Sequence, residues 1–107
     1  MEPKQNNTPK DTDLMHQALK IFGDVWNLSI VRVLSETTQR FNELQRGLGN
    51  VSPTTLTDRL KKLESYDLIT QEKQTVDQLS VIYSLTEKGK KMLPVLDAIE
   101  AFSKKFL

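Results

Sequence analysis

The spacing of apolar residues predicts two short helices, one directly after the other, in the middle of the chain. In each segment the apolar residues recur three or four positions apart, which places them on one face of a helix. The opposite face of each helix is polar and is expected to meet solvent or a polar partner. The two apolar sets are Phe41, Leu44 and Leu48, followed by Leu56, Leu60 and Leu63.

The connection between these helices has the composition of a tight turn. Gly47, Gly49 and Asn50 accept a left-handed backbone at little cost. Ser52 is a favoured N-cap residue, and Pro53 suits the first helical position because a missing N–H costs nothing there. The pattern predicts a helix-turn-helix, in which the second helix reads DNA in the major groove.

The same periodicity predicts helices before this motif. A first helix starts near Asp11 to Asp13 and runs to Phe22, and a second spans about Trp26 to Ser35. Residues 1–12 are polar and contain two prolines, so we expect a flexible N-terminal tail and a folded domain over residues 13–107. The inward positions of the second helix are predicted to be Trp26, Ile30, Val33 and Leu34.

A β-hairpin is predicted after the helix-turn-helix. Residues 68–74 begin as a strand, residues 76–79 suit a hairpin tip, and residues 80–85 are rich in β-branched and aromatic types. Two strands in this position form a wing, and residues 39–41 suit one very short extra strand. The fold class is therefore mainly α with a small β-wing, a winged helix-turn-helix.

A last helix, capped by Thr86, carries more apolar surface than a small core needs. Pro94 lies inside it and is expected either to kink the helix or to mark its true start. The spare apolar residues either close the core of one chain or form a two-fold dimer, and we favour the dimer. The predicted dimer interface, from the first and last helices, is Leu14, Met15, Leu96, Ile99, Phe102 and Phe106.

The amino-acid composition limits the kinds of chemical site that the chain can form. The 107 residues carry a net charge of +1 and contain no cysteine, which excludes disulfides and thiolate metal sites. His16 is the only histidine and has no acidic partner at useful spacing, so neither an enzyme nor a cofactor is expected. No apolar run approaches the length of a membrane span and no signal peptide is evident, so the expected location is the cytoplasm.

Four segments of the chain carry a family resemblance: Phe22-Gly23-Asp24-Val25-Trp26 with Ser29 to Leu34, Arg40 to Leu44, Val51 to Glu64, and Tyr83 to Gly89. In this order and spacing they resemble the HxlR-type branch of bacterial transcription regulators, which is related to the MarR-type winged-helix proteins. They cover about residues 14–105. The resemblance implies a DNA-binding regulator, and the repressor sense is carried over from the family, in which activators also occur. Many family members carry an N-terminal cysteine that this chain lacks, so the resemblance does not imply thiol sensing.

With the three leucines of the second motif helix facing the core, Thr54, Asp58 and Lys61 point away from it, whereas Thr57 and Arg59 lie nearer the core edges. Short polar side chains and cations on such a helix suit base edges and phosphates. Asp58 and Arg59 are neighbours on a helix, and no ion pair is expected between them. The predicted DNA-binding residues are Arg40, Ser52, Thr54, Thr55, Thr57, Asp58, Arg59, Lys61, Lys62 and Lys73.

The sequence thus predicts a homodimeric, sequence-specific DNA-binding regulator that represses transcription from an inverted-repeat operator. Its partners are double-stranded DNA and a second copy of itself, with no membrane, and the sequence leaves open whether a small-molecule effector acts on it. The alternative is a winged-helix protein-interaction module without DNA readout. The weak net charge and a wing with neither proline nor arginine favour this alternative.

Overall fold

The structure, a computed structural model, describes residues 9–73 and 81–107. It confirms a mainly α fold with a small antiparallel sheet, as the hydrophobic pattern predicts. Within the described ranges the elements follow in this order: α1 (Pro9–Phe22), α2 (Val25–Glu36), β1 (Gln39–Arg40), α3 (Phe41–Gly47), α4 (Pro53–Ser65), β2 (Ile69–Lys73), β3 (Val81–Leu85), α5 (Glu87–Lys90) and α6 (Leu93–Phe106).

The sheet has the strand order β1-β3-β2, with both neighbours antiparallel to the central strand β3. Tyr83 of β3 lies opposite Gln39 on one side and Gln71 on the other. Strands β2 and β3 are the predicted wing, and β1 is the predicted short extra strand. The predicted hairpin tip, residues 76–79, lies outside the described residues.

The hydrophobic core lies where α2, α3 and α4 meet the start of β2. Leu44, Leu56 and Leu63 are almost completely buried, as their helical spacing predicts, and Ile30 of α2 and Ile69 of β2 pack with them. Trp26 and Val33, also predicted to face inward, are only partly buried, whereas Asn27 and Val31 of the same helix are fully buried. One face of α4 is therefore fixed by the core, and its other face is exposed.

Two helix starts differ from the sequence prediction. Helix α1 begins at Pro9, so it includes the last four residues of the segment predicted as a tail, and residues 1–8 lie outside the described residues. Thr86 does cap a helix, because its Oγ1 accepts a hydrogen bond from the Gly89 N–H at 2.9 Å. That helix, α5, ends at Lys90, and α6 begins at Leu93 with Pro94 in its first turn. Pro94 thus marks the true start of the last helix, where its missing N–H is harmless.

A left-handed residue closes the turn between α4 and β2. Asp67 has a φ of 62°, a conformation that a β-branched side chain adopts only under strain. We therefore expect Asp67→Val to lower the free energy of unfolding by about 1–2 kcal/mol, whereas Asp67→Gly retains it. Urea denaturation followed by circular dichroism measures both. Equal unfolding midpoints for the valine and glycine variants would contradict the expectation.

Candidate nucleic-acid interface

The turn between α3 and α4 sets the direction of α4. Gly49 and Asn50 have φ values of 74° and 62°, as expected for residues that tolerate a left-handed backbone. The Gln45 side-chain amide donates to the Val51 carbonyl at 2.9 Å and closes the turn. The Ser52 Oγ accepts from the Thr55 N–H at 3.1 Å, so the predicted N-cap of α4 is confirmed. Gly47, predicted in the turn, is the last residue of α3.

The exposed face of α4 is a polar surface with a shallow groove of about 410 Å³. Thr54, Asp58 and Lys61 are exposed and line this groove, in agreement with the predicted orientation of the helix. Thr57 is also exposed and lines the same groove, so its predicted position at the core edge is wrong. These four side chains recur at helical spacing and form one continuous strip, which we call the recognition face.

Arg59 does not project from the recognition face as a free cation. Its Nε donates to the Asp24 carboxylate at 2.9 Å, and one terminal nitrogen donates to the Asp58 carboxylate at 2.7 Å. The prediction that Asp58 and Arg59 form no ion pair is therefore wrong. Their Cα–Cβ bonds do diverge around the helix, but the long arginine side chain folds back far enough to reach its neighbour.

Asp24 is a functional candidate that the sequence prediction missed. It is the N-cap of α2, where one carboxylate oxygen accepts from the N–H groups of Trp26 and Asn27 and the other accepts from Arg59. Burial raises the pKa of Asp24, but the hydrogen bonds from Asn27, Arg59 and Trp26 and the charge of Arg59 outweigh it, and the pKa lies below the ordinary 3.8. The carboxylate is therefore charged at neutral pH.

The other predicted DNA-binding cations differ in their surroundings. The Lys62 ammonium donates to the Lys20 carbonyl at the end of α1, at 3.0 Å, and so partly neutralises the negative end of that helix. Lys73 is exposed at the end of β2, on the wing. Arg40 lies with Arg46 on a groove of about 610 Å³ between the start of α3 and β3. The predicted cations are thus spread over the end of β1, α4 and the wing.

Most of the predicted dimer interface is exposed in the single chain. Phe102 is 58% exposed and packs against Phe106, with ring centroids 5.2 Å apart. Leu96 is the exception, because it is buried against the core of its own chain and is not available to a partner. The exposed apolar residues of the two helices, which we call the apolar face, are Leu14, Met15 and Leu19 on α1 and Val95, Ile99, Phe102 and Phe106 on α6.

A third groove, of about 530 Å³, lies between α2, the end of α3 and α6. Trp26 lines it, and so contributes both to this groove and to the edge of the core, whereas Phe22 packs against the core. At the rim of the groove, Arg32 donates to Asp97 and Glu100 at 3.0 Å each.

In the part of the chain that the structure describes, no helix is long and apolar enough to cross a membrane.

A helix-turn-helix with an exposed polar second helix, followed by a two-stranded wing, defines the winged helix-turn-helix class of transcription regulators. The chain belongs to the HxlR-like helix-turn-helix family, whose model matches residues 21–107. It is therefore a transcription regulator with a helix-turn-helix DNA-binding domain, as the four resembling segments indicate.

Individual relatives support this placement in sequence and in structure. The HTH-type transcriptional regulator YodB of Bacillus subtilis is 32% identical over 92 residues, which cover 86% of this chain and 82% of YodB. The solved structure of reduced YodB matches 86% of this chain and 90% of that one with a TM-score of 0.77. A MarR-family regulator structure from Porphyromonas gingivalis matches all of both chains at 29% identity with a TM-score of 0.78.

Proposed function

We propose that this protein is a homodimeric repressor that binds an inverted-repeat operator through the recognition face of α4. The observation that carries the proposal is the division of α4 into a buried leucine face and an exposed face of Thr54, Thr57, Asp58 and Lys61. A dimer seated on promoter DNA excludes polymerase from the sequence that it covers. The repressor sense is otherwise carried over from the family resemblance.

The proposed contacts divide into base contacts and phosphate contacts. Threonine hydroxyls and methyl groups suit base edges and the thymine methyl, and the Asp58 carboxylate suits the amino group of cytosine. Ser52 and Thr55 lie at the N-terminus of α4, where backbone N–H groups favour a phosphate. Phosphate contacts position a protein on the duplex without reading its sequence. We propose such contacts for Arg40, Lys61 and Lys73, and also for Lys62, which in addition donates to the end of α1.

The apolar face of α1 and α6 supports the proposed dimer. Isolated exposed apolar side chains are ordinary, but seven of them at helical spacing on two helices are typical of an interface. The chain is also extended, at 59 × 33 × 26 Å, rather than compact around its core. A two-fold axis through these helices would present two recognition faces about 34 Å apart, one helical turn of DNA.

Binding is expected to be specific in sequence and steep in salt. If the dimer contacts about eight phosphates, log K falls with log salt at a slope of about −7, so a change from 50 to 200 mM salt weakens binding about 10⁴-fold. Fluorescence anisotropy on a library-selected duplex and on a random duplex, at several salt concentrations, measures both properties. Equal affinity for the two duplexes, or no binding to either, would favour the protein-interaction module over the regulator.

A further inference from the structure

Arg59 lies on the recognition helix, yet its guanidinium is bound by two carboxylates of the same chain. One belongs to Asp58, its neighbour on α4, and the other to Asp24, which is 35 residues away at the start of α2. The Arg59 and Asp24 side chains are only 27% and 23% exposed, so water screens this pair less than an ordinary surface pair. The pair therefore ties the recognition helix to α2.

The Asp24 end of this bridge is held firmly. Its second carboxylate oxygen accepts from two backbone N–H groups, those of Trp26 and Asn27, in the first turn of α2. That turn is continuous with the fully buried Ile30 and Val31 of the same helix. The core thus determines the position of the Asp24 carboxylate. Because Arg59 donates to that carboxylate, the position of its guanidinium is determined as well.

The bridge has two consequences at the recognition face. Arg59 directs a hydrogen bond at the exposed Asp58 carboxylate, which limits the orientations available to that acceptor. A fixed carboxylate accepts from the amino group of cytosine and repels phosphate oxygens and the acceptor-rich edge of guanine. At the same time the Arg59 cation is kept from phosphates, which it would otherwise bind at any sequence.

We propose that Asp24 is a specificity-determining positioning residue: by binding Arg59 it orients Asp58 and suppresses contacts to random DNA. The proposal rests on the proposed function, because it assumes that α4 reads DNA. It adds that a residue outside the helix-turn-helix sets the ratio of operator binding to random binding, and that Arg59 acts as a link between two carboxylates rather than as a base-reading group.

The test is the substitution Asp24→Asn in the full-length protein. Asparagine caps a helix as well as aspartate does, so α2 should remain capped while the charge that holds Arg59 is lost. We expect tighter binding to random DNA, a salt slope steeper by about 0.9 for each added phosphate contact, and a ratio of selected to random affinity about tenfold lower. Anisotropy at four salt concentrations measures all three, and thermal melting checks that the fold is retained.

Two further variants separate the bridge from general effects. Glu87→Gln makes the same change in net charge at an exposed ion pair on α5 and should leave the ratio unchanged. The double substitution Asp24→Asn with Arg59→Gln restores the net charge and removes the released guanidinium, so random binding and the salt slope should return towards those of the unmodified protein. A purely structural role of Asp24 would not be rescued in this way.

The outcomes are distinguishable. A sequence preference in the unmodified protein, together with an Asp24→Asn variant whose ratio and slope are unchanged or match those of Glu87→Gln, would overturn the role of Asp24 and leave the proposed function intact. No sequence preference in the unmodified protein would overturn the proposed function and the role of Asp24 with it. Tighter random binding and a steeper salt slope in Asp24→Asn that the double variant reverses would support both, whereas changes that persist in the double variant would overturn the role of Asp24.

Discussion

Replacing Phe102 by aspartate is expected to convert the protein to a monomer and to weaken operator binding about a hundredfold or more. Phe102 is 58% exposed on the apolar face of α6, so the change should disturb the single chain little. In the proposed dimer it would bury an unpaired carboxylate, which strongly opposes association. Loss of the second recognition helix then removes the effective-concentration advantage of two linked half-sites, typically 10²–10⁴-fold.

Light scattering at micromolar concentration measures the loss of the dimer, and fluorescence anisotropy on the selected duplex measures the loss of DNA affinity. Ala101→Asp is the matched control, because it adds the same charge one residue away, about 100° around α6 from Phe102. We expect the control to remain dimeric and to bind DNA normally. An unmodified protein that is already a monomer at this concentration would contradict the dimer and, with it, the inverted-repeat operator.

Replacing Gly89 by alanine is expected to destabilise the protein by about 3 kcal/mol. A Cβ atom at this position would lie 2.1 Å from the Leu68 carbonyl oxygen, which is backbone and cannot move aside alone. That oxygen also accepts the Thr86 N–H at 3.1 Å, and the Gly89 N–H donates to the Thr86 side chain. The added methyl group therefore forces α5 away from the start of the wing.

Urea denaturation followed by circular dichroism measures the loss, with Gly47→Ala as the control. Gly47 is the last residue of α3, and a Cβ there would meet no atom within 4 Å. Alanine is the better helix former, so the control should be neutral or slightly stabilising. Similar unfolding midpoints for the two variants would show that the close approach at Gly89 is relieved without cost.

The sequence predicts most of the fold because most elements have a local signal, although α5 and α6 were predicted as one helix. Period-3.6 leucines identify α4, Ser52 and Pro53 mark its start, and the β-branched run at residues 80–85 marks β3. Which apolar residues of α6 are buried could be predicted less well from the sequence. Its apolar residues extend around more than one face, and only packing against α2 places Leu96 in the core while leaving Ile99 and Phe102 exposed.

The candidate site was only partly predictable for a related reason. Orientation around α4 follows from helical geometry, which correctly placed Thr54, Asp58 and Lys61 on the exposed face. The geometry of a single helix gives no information about a partner 35 residues away in the sequence. The hydrogen bond from Arg59 to Asp24 could therefore not be predicted from the residues around Arg59. The Gly23-Asp24 step before an apolar run does mark a helix cap, and Asp24 lies in one of the segments that resemble the family, but neither signal indicates a bond to Arg59.

The central position of β3 has a mechanical consequence for how the protein meets a duplex. Because β3 pairs with β2 in the wing and with β1 just before α3, the wing and the entry to the helix-turn-helix are joined to the same strand, by the β2–β3 ladder on one side and the two-residue β1–β3 ladder on the other. Arg40, the last residue of β1, lies opposite Ile82 in that ladder. We therefore expect a tilt of the wing to move Arg40 and the first turn of α3 with it. If the protein binds DNA as proposed, we expect the wing and the entry to the helix-turn-helix to adjust to a DNA groove together rather than independently.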